Sequence, residues 1–599
     1  MVYHDISCVR PAVPEAVPIV AGPEAVPVVP GPEAVPVVPG PEAVPVVAGP
    51  EAVPVVAGPE DVPLFAGPED VPAIAGLPSL PNITGALSLL CLDDPDDFSD
   101  AEEENIPPEL SANDIETALL FSSQLLHYGN SRDCSQRPPQ YGLLGRLSQR
   151  RGDQEQQYLD ARVFLNTNIP GSFFICGLQG SGKSHTLATL LENYLIPSPQ
   201  IGVLHRPHSV LVLHYGESIS GWAFRPCEAA YLAQPSMRVI FSPESQLPKV
   251  KVLVPPSNYC NLAAAYKEVP NVTVHPLKFP SRLLTINSII TLMTVSRSGS
   301  PPHYMSQVTK ELRDMAEFEG VKGFDYQEFQ RRMEDLKKLL DVGQNSMLSR
   351  GLRILDTFVE VDADASEFAF EGAEAGLTVI DLSCPFVSVG FACRLFDVAI
   401  SQYLSQSSPE VAKVIAVDEA HKYLGSNSAA SSAFSDTLLT IIRQQRHIDV
   451  RVIIATQEPT LPPRLMDLVS VTIIHRFMSP GWLKAVQKHL CIGGDESKES
   501  KQIFKKIQRL RTGEALLFAP TAILIAGARE RQMTCGSLRR SRSGQSRDST
   551  RDKRDNAAAD QTSESPGEVS LRRMDGEMFR IKIRERITHD GGATIAVSG

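Results

Sequence analysis

The sequence predicts an α/β protein with a mainly parallel sheet flanked by helices, and three observations predict it. Short apolar runs alternate with helical patterns from about 157 to 528, the rhythm of strands joined by crossover helices. One of these runs, Val414–Val417, is apolar throughout and ends in Asp418 and Glu419, as a strand buried on both faces does. A glycine-rich turn, GLQGSGKSH from Gly177 to His185, joins the apolar run SFFIC to the helical pattern HTLATLLENYL.

Strands are expected at Phe173–Cys176, Val210–His214, Arg238–Phe241, Val250–Val254, Val272–His275, Leu377–Leu382, Val414–Val417, Val450–Ala455, Val471–Ile474 and Glu514–Phe518. Helical patterns such as DYQEFQRRMEDLKKLL, Asp325–Leu340, fill a stretch of about 280–360 that reads as an insertion. Before this body, residues 1–90 form an arm in which a nine-residue unit, GPEAVPVVA, recurs seven times between Val13 and Ala75. Two prolines per unit oppose both helix and sheet ladder, so the arm is expected to be disordered and polyproline-like. Residues 91–156 read as an acidic and polar linker, with a short helix at Asp114–His127 and a loop over SRDCSQRPPQYGLLGRLSQRRGDQ. Residues 529–575 read as a disordered basic, RS-rich tail, and 576–599 alternate as a terminal strand does.

Composition limits the function classes. The 599 residues carry a net charge of −13, which argues against a passive nucleic-acid coat, since phosphate binding is dominated by Lys and Arg. A local basic face stays open. The ten cysteines are scattered, without a CxxC pair or a close His/Cys cluster, so the spacing suggests neither a zinc site nor a disulfide framework. The N-terminus lacks a signal pattern and no run of 18 apolar residues occurs, so the expected location is intracellular, cytoplasm or nucleus, with no membrane partner.

The chemistry concentrates in three motifs. Gly177, Gly182, Lys183 and Ser184 match G-x-x-x-x-G-K-[ST] between a strand and a helix. In such a loop the backbone N–H groups of residues like Gly180 and Ser181 curl around phosphates, and the helix N-terminus at His185 adds partial positive charge. Lys183 reaches the β/γ oxygens and Ser184 ligates Mg²⁺, so ATP with Mg²⁺ is the expected ligand. In VIAVDEAHKYL, Asp418 is placed to hold the metal and Glu419 to polarise the attacking water. In RVIIATQEP a third strand presents Thr456 and Gln457, and a glutamine there is placed either to sense the γ-phosphate or to orient the water. The letters DEAH invite comparison with helicases, but Lys183 and Asp418 stand too far apart and no SAT-like motif follows.

Together, the order GxxxxGKS, DE, then IRQQRHIDVRVIIATQEP resembles the HerA/FtsK superfamily of ring-forming P-loop ATPases over about 170–525. The chain is also similar to a group of uncharacterised P-loop proteins from filamentous fungi, in which CGLQGSGKSHT, VDEAHK and RQQRH…IIATQEPT stand in similar form. The superfamily resemblance implies a P-loop NTPase core working as a homo-oligomeric ring. It also implies Asp418 as magnesium ligand, Glu419 as catalytic base and Gln457 as sensor. Arg446, eleven residues before Gln457, resembles the finger that reaches a neighbouring subunit's nucleotide, with Arg443 as its rival. Neither the N-terminal β-barrel of HerA-like nor the C-terminal winged module of FtsK-like translocases is recognisable. Three functions therefore stay open: an Mg²⁺-dependent ATPase, a nucleotide-gated interaction or scaffold protein whose N-terminal repeats recruit protein partners, and a nucleic-acid translocase. The sequence does not indicate the last.

Overall fold

A computed structural model describes residues 112–128, 138–147, 161–216, 224–237, 245–294, 303–319, 324–361, 374–406, 408, 410–425, 428–459, 461–490, 498–525, 571–573 and 578–591. The repeat arm, the acidic stretch, most of the RS-rich tail and the expected strand at Arg238–Phe241 lie outside these residues.

Eight parallel strands form the centre of the sheet. In spatial order they are Val471–Ile474, Ser172–Cys176, Val450–Thr456, Lys413–Val417, Ser209–His214, Gly376–Asp381, Val250–Val254 and Val272–Pro276. The apolar runs are continuous because both faces are covered, and the period of two still divides them. Leu211, Leu213, Ile415, Val417, Val452 and Ile454 face one core layer, while Val210, Val212, Val414, Ala416, Ile453 and Ala455 face the other.

The first layer packs the sheet against helices Val389–Ser405 and Ala429–Gln444 and against the insertion. The insertion holds helices Ile286–Met293, His303–Glu319, Tyr326–Lys337 and Val342–Phe358. Three of them begin at a capping side chain: the Asp325 carboxylate accepts from the amides of Gln327 and Glu328, Thr285 accepts from that of Ser288, and Asp341 from that of Gln344. The second layer packs the opposite face against helix Lys183–Leu195, the 3₁₀ turn Glu228–Ala233 and helix Tyr259–Tyr266.

Beyond Val471–Ile474 the sheet changes character. Glu514–Phe518 pairs antiparallel to it, followed by Met578–Ile583, Tyr141–Leu147 and Arg162–Asn166, all antiparallel. Three local expectations are corrected here. Tyr141–Leu147, read as loop within the 91–156 linker, is a strand of the main sheet, because Gly145, Arg146 and Leu147 pair with Ile583, Lys582 and Ile581 from the far end of the chain. The helix expected at Asp114–His127 divides into Ala112–Thr117 and Ser123–Tyr128 around the strand Leu120–Ser122, whose register with Arg162–Asn166 overrides helical propensity. Leu571–Arg573, inside the tail expected to be disordered, pairs with Ile523–Ile525. Among the described residues no helix is long and apolar enough to cross a membrane.

Candidate nucleotide site

The turn after Ser172–Cys176 has the backbone that a phosphate cradle requires. Gly182, at φ 111, is the N-cap of helix Lys183–Leu195, and a Cβ there would stand 3.0 Å from the Gly513 nitrogen. A Cβ on Gly177, at φ 151, would meet the His475 Cβ at 2.6 Å. Both positions therefore exclude side chains on two grounds, backbone angle and space. Lys183 is buried and donates to the Leu178 carbonyl at 3.0 Å. Burial pushes its ammonium below the ordinary lysine value, and the charges of Glu419 and Asp418 oppose that shift. Ser181 is held by the same carbonyl at 2.6 Å, and Ser184 stands half-buried in the first helical turn. The His185 side chain meets the Arg584 carbonyl, with Nε2 at 2.7 Å, so toward a ligand in the turn it offers its backbone only.

Strand order brings the other motifs to this turn. Val450–Thr456 lies between the strands that end at Cys176 and Val417, so the carboxyl ends of three adjacent parallel strands present the P-loop, Gln457, and the Asp418–Glu419 pair together. Ligands of open parallel sheets bind at such carboxyl ends. The Gln457 amide donates to both Glu419 carboxylate oxygens at 3.0 Å. Glu419 itself sits at φ 52, a left-handed conformation that costs a non-glycine residue about 1 kcal/mol or more. The Asp418 carboxylate accepts from the Glu419 amide at 3.0 Å and lies 3.1 Å from His214 Nδ1. Hard oxygen donors from Ser184 and Asp418 fit Mg²⁺, which takes few protein oxygens and keeps its waters.

Three histidines that the motifs did not single out complete the site. His421 Nδ1 is 3.4 Å from both the Gln457 amide nitrogen and the Glu419 carboxylate, and burial lowers its affinity for a proton. His475 is fully buried under the P-loop, with Nε2 2.9 Å from the Thr186 hydroxyl and Nδ1 3.0 Å from the Glu514 carbonyl; burial holds it down at about 3. For His214, burial by itself would favour the neutral ring, but the Cys227 sulfur and the Asp418 hydrogen bond outweigh it and raise the value well above the ordinary one. His214 and His475 share a signal with Asp418 that could have found them: each is the polar residue at the carboxyl end of an apolar strand run.

Arg446 and Arg443 are not brought to this site. Both are exposed, in the turn and the last helical turn that precede Val450, at the opposite end of the strand from Gln457. A seven-residue strand puts about 20 Å between those ends.

No family model matches the chain, and no curated protein matches it. Solved structures do. VirB4 of Thermoanaerobacter pseudethanolicus is 12% identical at a TM-score of 0.35, the match covering 63% of this chain and 93% of that one. The plasmid coupling protein TrwB, in complex with a non-hydrolysable ATP analogue, is 14% identical at 0.35, covering 58% and 81%. B204, the DNA-packaging ATPase of Sulfolobus turreted icosahedral virus, is 11% identical at 0.25, covering 59% and 93%. The chain's own sheet, with its helix-flanked parallel centre and its strand-turn-helix phosphate cradle, is that of a P-loop NTPase core.

Proposed function

We propose that this chain is an Mg²⁺-dependent ATPase of HerA/FtsK type that completes its active site by assembly. One observation carries the reading: three adjacent parallel strands deliver the P-loop, Gln457 and the Asp418–Glu419 pair to one end of the sheet. The amides of Gly180, Ser181 and Gly182, with the Lys183 ammonium, bind the phosphates, and the helix that begins at Lys183 adds its dipole. Ser184 and Asp418 would hold Mg²⁺, which would neutralise phosphate charge as it develops. Glu419 takes the proton of the attacking water as the bond to the leaving β-phosphate oxygen breaks. Gln457 senses the γ-phosphate, and the hydrogen bond it gives to Glu419 links sensing to the base.

Arg446, remote from its own chain's nucleotide, acts in trans from a neighbouring protomer, and Arg443, one turn earlier, is its alternative. The same geometry supports the nucleotide-gated reading: with both Glu419 oxygens engaged by Gln457, the base is held back until something draws the amide away. A neighbour or a partner protein would do so. The experiment is turnover against protein concentration. Specific activity should rise with concentration, Arg446→Ala should bind ATP without hydrolysing it, and mixing Arg446→Ala with Glu419→Gln should restore activity, since one interface in the mixture pairs an intact base with an intact finger. Concentration-independent turnover by a species that stays monomeric with Mg-ATP would refute the assembly reading.

A further inference from the structure

We infer that His214, Cys227 and Asp418 form a binding site for a borderline-soft divalent metal, zinc foremost, beside the nucleotide site. A ring nitrogen of His214, the Cys227 sulfur and a carboxylate oxygen of Asp418 lie within 4.8 Å of one another. They come from three separate elements. His214 ends the strand Ser209–His214, Asp418 follows the neighbouring strand Lys413–Val417, and Cys227 precedes the 3₁₀ turn Glu228–Ala233.

The geometry is close to a tetrahedral set. Zinc at about 2.0–2.3 Å from nitrogen, oxygen and sulfur donors leaves those donors about 3.3–3.8 Å apart. His214 Nδ1 and Asp418 Oδ2 are already at 3.1 Å, and the sulfur, within 4.8 Å of its partner donors, closes the set by moving inward by no more than about 1 Å. A thiolate, an imidazole and one carboxylate select zinc over magnesium, which demands oxygen ligands. The donors are largely buried: Cys227 is 1% exposed, and the His214 and Asp418 side chains 15% and 10%. Its surroundings are fixed, since the Cys227 amide donates to the Tyr266 oxygen at 2.9 Å and the Tyr266 hydroxyl donates to the buried Asp381 carboxylate at 2.7 Å. Three protein donors leave a fourth position for water, and binding releases the thiol proton together with the one between His214 and Asp418.

One consequence rests on the ATPase reading. The metal takes the Asp418 carboxylate that Mg²⁺ would use, so zinc and Mg-ATP exclude each other, and zinc is an inhibitor of this chain.

Co²⁺, which accepts zinc's donors and reports thiolate ligation by a near-ultraviolet charge-transfer band, tests the site on the full chain after treatment with chelator. The expected result is a band that saturates at one equivalent, disappears in Cys227→Ser, and persists in Cys260→Ser, which removes an exposed thiol. Asp418→Asn should keep the band and weaken Co²⁺ binding at least tenfold. Absence of the band, or a band that survives Cys227→Ser, overturns the assignment. If Cys227→Ser loses its cooperative melt, His214→Gln takes its place, and stoichiometric binding that survives His214→Gln overturns it equally. Saturating Mg-ATP should suppress the band. A Cys227-dependent band indifferent to Mg-ATP would uphold the metal site and remove Asp418 from the magnesium site, which separates the two claims.

Discussion

Glu192→Leu should lower the stability of the full chain by about 3 kcal/mol, because one buried carboxylate ties the C-terminal segment to the P-loop helix. Glu192 is fully buried; its Oε2 lies 2.6 Å from the Arg584 guanidinium and its Oε1 accepts from the Thr588 amide at 2.9 Å and from the Thr588 hydroxyl. Arg586, itself buried, stands 3.9 Å away. Leucine fills the site with an apolar side chain of roughly similar size but strands two guanidinium groups and an amide, and breaking a buried pair from one side costs about 3–5 kcal/mol. The lower end applies because Arg584 keeps Asn193 and the Leu143 carbonyl, and Arg586 keeps Glu228. Equilibrium urea unfolding of wild type, Glu192→Leu and Glu192→Gln measures it. The glutamine variant, which retains an acceptor oxygen, should lose about half as much. Removal of residues 578–599 should cost at least as much as Glu192→Leu, since it also strips a strand from between Tyr141–Leu147 and Glu514–Phe518. A Glu192→Leu chain within about 0.5 kcal/mol of wild type would refute the idea that this segment secures the helix.

Mg-ATP at a hundred times its dissociation constant should stabilise the folded chain by about 2.7 kcal/mol, and Lys183→Ala should abolish the effect; identical melts of wild type with and without Mg-ATP would remove the phosphate-binding assignment. Glu419→Gln should bind ATP and lose turnover by about 10²-fold or more in a steady-state phosphate-release assay, whereas wild-type rates in that variant would pass the role of base to another residue. Acid should destabilise the fold through His208 and His475, both held at about 3, His208 by burial and the Arg451 charge and His475 by burial. Below the ordinary value near 6.5 the unfolded chain binds protons that the folded chain refuses. Stability present above that pH is therefore lost on acidification, by about 2 kcal/mol per histidine between pH 7 and 5. His475→Gln should shrink the fall in urea midpoint over that range, and an undiminished fall would contradict it.

Local chemistry makes part of this fold legible from the residues alone. A run such as Val414–Val417 reads as a buried strand because no polar residue interrupts it, and G-x-x-x-x-G-K-S reads as a cradle because only glycine tolerates the backbone angles found at Gly177 and Gly182. Nine of the ten expected strands appear within a residue or two of their expected bounds, and the tenth lies outside the described residues. Spatial order was not legible. That Val450–Thr456 inserts between the strands of Cys176 and Val417, putting Gln457 against Glu419, follows from pairings that no local pattern specifies, the one with Ser172–Cys176 joining residues hundreds of positions apart. The same holds for Tyr141–Leu147, interrupted by Gly142, Gly145 and Arg146, and for Leu120–Ser122, three residues long, neither of which declares itself as a strand before its partners are known. Cys227 carries no spacing signal, nothing local joins it to His214, and Glu192 reads as one more helix-surface acid until Arg584 and Thr588 arrive from the far end of the chain. Propensity and motif act over a few residues, so sequence can fix them; burial and charge pairing belong to the folded neighbourhood, and only the tertiary structure decides them.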